Sequence, residues 1–227
     1  MKQLSLYTRL FYFLLILSLS GLVFSCRSLP IASPYQQGQT YQFGVTVWDD
    51  STKISVTDTL LMTVKNRGLI GGLLGMHLAE WESASNPALR QVRGLPISED
   101  RIEIQLPVVF QYFEKENIVI AGYPAWSRSM QPGFTSTSDH RFVRGYGKLS
   151  GKRIIQVRTV QDSTWFTFRG ETLRCKVSKG YNETKVEELG RYTIRTIWHE
   201  RYGFLKITVN YPNGKRVVME YLGRREE

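Results

Sequence analysis

Apolar and polar residues alternate along most of the chain after residue 40, which is the period of a strand rather than of a helix. Tyr41, Phe43, Val45 and Val47 alternate with Gln42, Gly44 and Thr46. Asp49-Asp50-Ser51 reads as a turn, and the β-branched, apolar run 54–65 supplies a hairpin partner. The segment Gly68-Leu69-Ile70-Gly71-Gly72-Leu73-Leu74-Gly75 does not favour a helix, because each glycine costs about 1 kcal/mol there relative to alanine. It reads either as an apolar loop over a cavity or as bent strand and turn leading into 76–81. Residues 83–100, with Pro87, Gly94 and Pro96, read as loop. Ile102, Ile104 and Leu106 alternate again, 108–113 suits a short helix or an edge strand, and 118–121 is a short apolar run. Residues 122–140 make a long irregular connection whose Trp126, Met130 and Phe134 either pack on the domain or line a functional mouth.

The C-terminal third is more regular. Strands are expected at 141–146, 153–160, 164–169, 172–178, 192–199, 204–211 and 216–222, with turns at 149–151, 161–163, 169–171 and 212–214. The polar stretch 180–190 reads as an exposed loop. Leu205, Ile207, Val209 and Tyr211 share one strand face, and Val217, Met219 and Tyr221 match them on the next strand. Such one-sided alternation predicts an antiparallel sheet with one buried face. A sheet of this many strands must curl, pack on a second sheet or wrap a helix. No long amphipathic helix is evident. The expected fold is mainly β: a curved antiparallel meander sheet, half-barrel or barrel-like, with few short helices.

The first residues follow a different pattern. Lys2 and Arg9 precede an apolar run from residue 10 to 25, and no acid occurs before Asp49. A charged head, an apolar middle and a small-residue end make the layout of a secretory signal. The run is shorter than the ~20 residues a spanning helix needs, and Arg27, Pro30 and Pro34 follow it. Val23-Phe24-Ser25-Cys26 resembles the lipobox of bacterial lipoprotein precursors. The resemblance implies a lipid on Cys26, palmitate among the acyl groups, and removal of the segment before it. Three parts follow: 1–25 as signal peptide, 26–40 as lipidated N-terminus and linker, and 41–227 as a single β-rich domain. Arg27, rather than Asp, after the cysteine points to the outer membrane, facing the periplasm, over the inner.

Composition narrows the partners. The chain has 42% hydrophobic and 12% aromatic residues, far from the signature of disorder. The net charge of +10, or +8 once Lys2 and Arg9 leave with the signal, favours anionic partners such as phospholipid headgroups, although cations this dispersed read first as a solvated surface. Export and the dispersal of the cations, as at Arg144, Lys148, Lys152, Arg153 and Arg158, argue against nucleic acid. With Cys26 lipidated, Cys175 has no disulfide partner and reads as a buried structural thiol in an alternating run.

Candidate chemistry is sparse. His77, His140 and His199 show no metal-ligand spacing with one another or with cysteine. Asp139-His140 has Ser136 and Ser138 beside it, but loop neighbours rarely assemble a Ser/His/Asp constellation. The glycine-rich 68–75 run lacks the lysine and serine of a phosphate loop. No residue is assigned to catalysis, metal or cofactor, and the chain is expected not to be an enzyme.

The C-terminal run Ile197-Trp198-His199-Glu200-Arg201-Tyr202-Gly203-Phe204, continuing through 205–211, Pro212-Asn213-Gly214 and 215–222, resembles the ending of bacterial envelope half-barrel proteins, the lipoprotein-carrier type among them. In those proteins a curved sheet encloses an apolar cavity for acyl chains. The resemblance implies a lipid-anchored protein that binds a lipid or another apolar ligand, with the seven apolar residues of 205–221 as candidate lining. The alternative is a structural or assembly lipoprotein that docks on another envelope protein.

Overall fold

The computed structural model describes residues 33–66, 76–88, 90–97, 101–106, 108–113, 116–119, 124–127, 130–141, 151–183 and 190–225. Among them it is all β, with no helix. Ten strands form one sheet: β1 (Thr40–Asp49), β2 (Ile54–Asn66), β3 (Met76–Ser83), β4 (Arg90–Pro96), β9 (Thr135–Arg141), β10 (Arg153–Phe168), β11 (Glu171–Asn182), β12 (Thr193–His199), β13 (Gly203–Asn210) and β14 (Lys215–Arg224). Their spatial order is β4-β3-β2-β1-β14-β13-β12-β11-β10-β9, every pair antiparallel. The expected curved antiparallel meander is therefore present, and of the half-barrel and barrel-like alternatives it is the open one.

Two strands far apart in sequence, β1 and β14, pair at its centre, with Val45 opposite Met219 and Val47 opposite Val217. The free edges, β4 and β9, consequently fall in mid-chain. The segment 97–134 joins them and carries β5 (Arg101–Glu103), β6 (Val108–Phe113), β7 (Glu116–Val119) and β8 (Ala125–Ser127), where β5 pairs with β8 and β6 with β7.

This connection fills the sheet. Ile102, Ile104, Leu106 and Trp126 belong to the same buried cluster as Phe43, Val45, Met62, Trp81, Ile207 and Met219. The Trp126 ring stacks on Trp198 of β12 at 5.0 Å and 12°. Between β8 and strands β10–β12 only about 10 Å³ is left, roughly the minimum that one water needs. The sheet face beneath the connection is partly polar: Gln156, Arg158, Ser178, Asn182 and Thr196 are all buried. Burial pushes the Arg158 guanidinium down to about 10, opposed by the charge of Glu103 on β5.

Several expectations need correction. Residues 90–96, read as loop, form β4; only Leu95 in it is buried, so an edge strand held by backbone pairing lacks the alternation that would reveal it. The 122–140 connection contains β8 and the edge strand β9, whose sequence TSTSDHR is polar throughout. β10 runs unbroken through the expected turn at 161–163, which is a bulge with exposed Asp162 and Ser163. β11 continues to Asn182, past the start of the expected loop. Of the two alternatives for 108–113, strand is the one found, whereas the strand expected at 141–146 lies outside the described residues except for Arg141, the last residue of β9. The 68–75 segment also lies outside them.

Cys175 is fully buried, and burial pushes its thiol up to about 11. A thiol reagent should therefore leave Cys175 unmodified in native protein and label it fully in denaturant. Rapid labelling of folded protein would contradict this placement.

Candidate functional site

One end of the sheet gathers the start of β1, the end of β14, the β10–β11 turn and the β12–β13 turn. Folded structure begins there before residue 41. Tyr35 is 2% exposed, its hydroxyl accepts from the Phe204 N–H at 2.9 Å, and its ring meets Tyr41 edge-on. Gly203, at a φ of 80°, makes this approach feasible: a Cβ there would lie 2.4 Å from the Tyr35 hydroxyl.

Beside Tyr35 opens a pocket of about 570 Å³. Its cations are Arg169 from the β10–β11 turn, Arg201 from the β12–β13 turn, and Arg224 and Arg225 from the end of β14. Its apolar wall is Tyr41, Phe168, Tyr202 and Tyr221, and Pro34, Gln39 and Gly223 complete it. No Asp or Glu lines it among the described residues.

Local geometry explains how each group is aimed. Arg169 and Gly170 both have positive φ, 51° and 82°, so the chain reverses in two residues and Arg169 is thrown across β14. There its guanidinium donates to the Leu222 carbonyl at 2.6 and 3.1 Å. Gly223 leaves the space, since a Cβ at that position would collide with the guanidinium. Arg224 Nη1 reaches Gln36 Oε1 at 3.4 Å, and the Gln36 N–H donates to the Tyr41 hydroxyl at 2.6 Å.

The aromatic wall is a stack. Phe168 lies over Tyr221 at 5.4 Å and 20°, and meets Tyr202 edge-on at 5.0 Å. The Arg201 guanidinium sits 5.0 Å from the Tyr202 ring centre. Tyr202 donates to Glu171 Oε2 at 3.1 Å. Burial raises the Tyr221 phenol above its ordinary value, and so does Tyr41 beside it, whereas Arg169 and Arg224 pull it back. Tyr41 is raised in the same way by burial, against the Gln36 N–H and Arg224. Both phenols are therefore neutral hydrogen-bonding groups in a positive field. Such a site suits an anion: arginine offers charge-assisted, forked hydrogen bonds to phosphate or carboxylate, and the rings offer an apolar surface next to them.

The residues singled out in the sequence are distributed as follows. Leu205, Ile207, Val209, Val217 and Met219 are packed in the core, Tyr211 is half-buried against it, and Tyr221 forms part of the pocket wall. Cys26 lies outside the described residues. Asp139 is held by Arg153 on the neighbouring strand. No cluster of three His, Cys, Asp or Glu suited to a metal occurs among the described residues.

The pocket arginines carried no local signal, because they are separated in sequence at 169, 201 and 224–225. What joins them is topology: each sits in a turn or strand terminus at the same end of an up-and-down sheet.

No protein-family model matches the sequence, and no curated protein matches it either. Among solved structures, the chain is similar to a candidate exported protein with a YmcC-like fold from Bacteroides fragilis, at a TM-score of 0.50 and 9% identity, covering 87% of this chain and 100% of that one. A candidate lipoprotein from Parabacteroides distasonis matches at a TM-score of 0.48 and 9% identity, over 88% and 100% of the two chains. The hypothetical lipoprotein YmcC from Escherichia coli matches at 0.42 and 9%, over 100% of both. The first of these likenesses establishes a shared fold.

Proposed function

We propose that this chain is an exported envelope protein held to the membrane by a lipid on Cys26, and that its β domain binds an anionic amphiphile without transforming it. The supporting features for the anchor are the leader and Val23-Phe24-Ser25-Cys26. A candidate exported protein with this fold adds to them. The ligand reading is carried by one observation: four arginines and four aromatic rings face one pocket that no described carboxylate lines. An acyl chain swallowed by the half-barrel is disfavoured, because Trp126, Ile102 and Ile104 occupy that interior. The ligand instead lays its anionic head among the arginines and its apolar part on Phe168 and Tyr221. Arg27 after the cysteine makes the outer membrane the favoured location.

The anchor predicts that palmitate is incorporated into the wild-type chain and not into the Cys26→Ala chain. The pocket predicts that the full lipidated protein in neutral detergent binds short-chain phosphatidylglycerol saturably, and short-chain phosphatidylcholine far more weakly. Arg201→Gln with Arg224→Gln should weaken the anionic lipid by about tenfold or more, the scale of hydrogen bonds to a charged group. Calorimetric titration reads both. Equal affinity for the two lipids, or an unaffected double variant, would sink the ligand assignment.

A further inference from the structure

Building on the lipid-anchor reading, we infer that the pocket end of the domain rests on the anionic lipid surface to which the chain is tethered, with its arginines on lipid phosphates and the Trp165 ring in the headgroup layer.

Tether length is the first argument. Pro34 lines the pocket, and only seven residues, hence eight Cα–Cα steps, separate it from Cys26. At 3.3–3.6 Å per residue the chain between them cannot exceed about 29 Å, even when fully extended. A lipid on Cys26 therefore keeps this end close to the bilayer.

Charge is the second. Arg169, Arg201, Arg224 and Arg225 all lie at this end, and none of them forms an ion pair among the described residues. Glu171 and Glu200 stand in the same turns, but neither lines the pocket, so the arginines form a local cationic cluster within it. At the opposite end the β1–β2 and β13–β14 turns carry Asp49, Asp50, Lys53 and Lys215, a mixed set. The Asp49 carboxyl is held below its ordinary range there by Ser51. Anionic headgroups attract a cationic cluster within a Debye length of about 8–10 Å.

Trp165 is the third. It is 70% exposed, and it lies on β10 beyond Thr159, where pairing with β9 stops, four residues before Arg169. Leu222, 43% exposed, is on β14 next to Gly223 and Arg224. An indole has an apolar body and one N–H donor, a combination that concentrates at membrane–water interfaces. One pole of the domain thus combines cations, an interfacial indole and the tether.

The test uses the full lipidated chain reconstituted in vesicles whose acyl chains are brominated near the headgroup. One set contains phosphatidylethanolamine with phosphatidylglycerol, and the other phosphatidylcholine alone. Tryptophan emission should be quenched in the anionic set, and the Trp165→Phe chain should lose that quenching. Arg201→Gln, Arg224→Gln and Arg225→Gln combined should lose it too, with thermal unfolding confirming that the variant is folded. Raising the salt should abolish it in the unmodified chain. Equal quenching in both vesicle sets, or none in the anionic set, would overturn the docking. So would a photo-crosslinker at position 165 that captures a protein in cells rather than lipid. Retention of calorimetric anion binding without quenching would mean that the pocket takes a soluble anion, and would overturn the docking while leaving the ligand reading intact. Loss of palmitate labelling, by contrast, would strike the anchor itself.

Discussion

Cutting Tyr35 back to alanine should lower the unfolding free energy by about 3–5 kcal/mol, the range for a buried aromatic truncated to a methyl group. Tyr35 is 2% exposed and packs edge-on against Tyr41 and Trp198. Its hydroxyl takes the Phe204 N–H, so the residue ties the entry of the domain to the β12–β13 turn. A domain of this kind has ~5–15 kcal/mol in total, so this single change should consume much of it. Tyr35→Phe keeps the ring and removes the acceptor. It should cost about 1–3 kcal/mol, the cost of leaving a buried donor unsatisfied. Urea midpoints of the two variants would check the order. A near-neutral alanine variant would mean that residues 33–39 are not part of the cooperative unit.

The same residue predicts an alkaline dependence. Burial raises the Tyr35 phenol well above its ordinary value of 10.0, only partly opposed by the Phe204 N–H. In the unfolded chain it ionises normally. The native state therefore retains a proton that the unfolded state loses. Stability is whole below about pH 10 and falls as pH rises above it, by up to ~1.4 kcal/mol per pH unit for one such group. Tyr41 and Tyr221 are raised in the same direction and should add to the slope. Tyr35→Phe should be less sensitive to pH than the parent. An identical slope in both would assign the effect to the other two phenols.

Strand period was legible wherever one face of a strand is buried and the other wet. β1 alternates half-buried and buried residues without a break from Thr40 to Asp49, and β13 and β14 pair with the register that the faces of Ile207 and Met219 imply. The misses have a common cause. β4 and β9 are edges, so their alternation is weak or absent: β9 holds no apolar residue at all, and β4 buries only Leu95. Local sequence also cannot report that the chain's first and last strands pair. That pairing decides where the edges fall, and so decides that 97–134 must cross the open sheet.

The candidate site was hidden for the same reason. Arg169 follows a strand, Arg201 sits in a tight turn and Arg224 ends the last strand. Read singly, each is an ordinary exposed cation, and only the up-and-down order brings them together. The apolar face at 205–221 drew attention because its pattern is strong, yet strong alternation reports burial and not accessibility. Only Tyr221, at the end of that face, is part of the pocket wall.

Trp126→Ala should release the 97–134 segment from the sheet while leaving the centre folded. Trp126 is 6% exposed, stacks on Trp198 and has the Lys176 ammonium 5.2 Å from its ring centre. Trp198 in turn meets Phe204 edge-on at 4.6 Å. One indole thus couples the crossing segment to the floor of the half-barrel. Its loss should cost about 3–5 kcal/mol, including ~0.5–1.5 kcal/mol from the ring stack itself. The cost should fall mainly on the crossing segment, since β1, β14 and β13 make their pairing and most of their packing without it. Hydrogen exchange would show amides of 101–106 and 125–127 exchanging faster while those of β13 and β14 stay protected. Trp126→Phe should retain most of the protection. Release would uncover Trp198 and Ile104, so the alanine variant should also gain binding of an apolar dye. If protection fell uniformly across the whole sheet, the segment would be an integral part of the core. If it did not fall at all, Ile102, Ile104 and Leu106 would suffice to hold it. The first result, local release with new apolar binding, would mean that this half-barrel owes its filled interior to its own crossing segment. A cavity of the acyl-binding kind would then be latent in the fold and covered by residues 97–134.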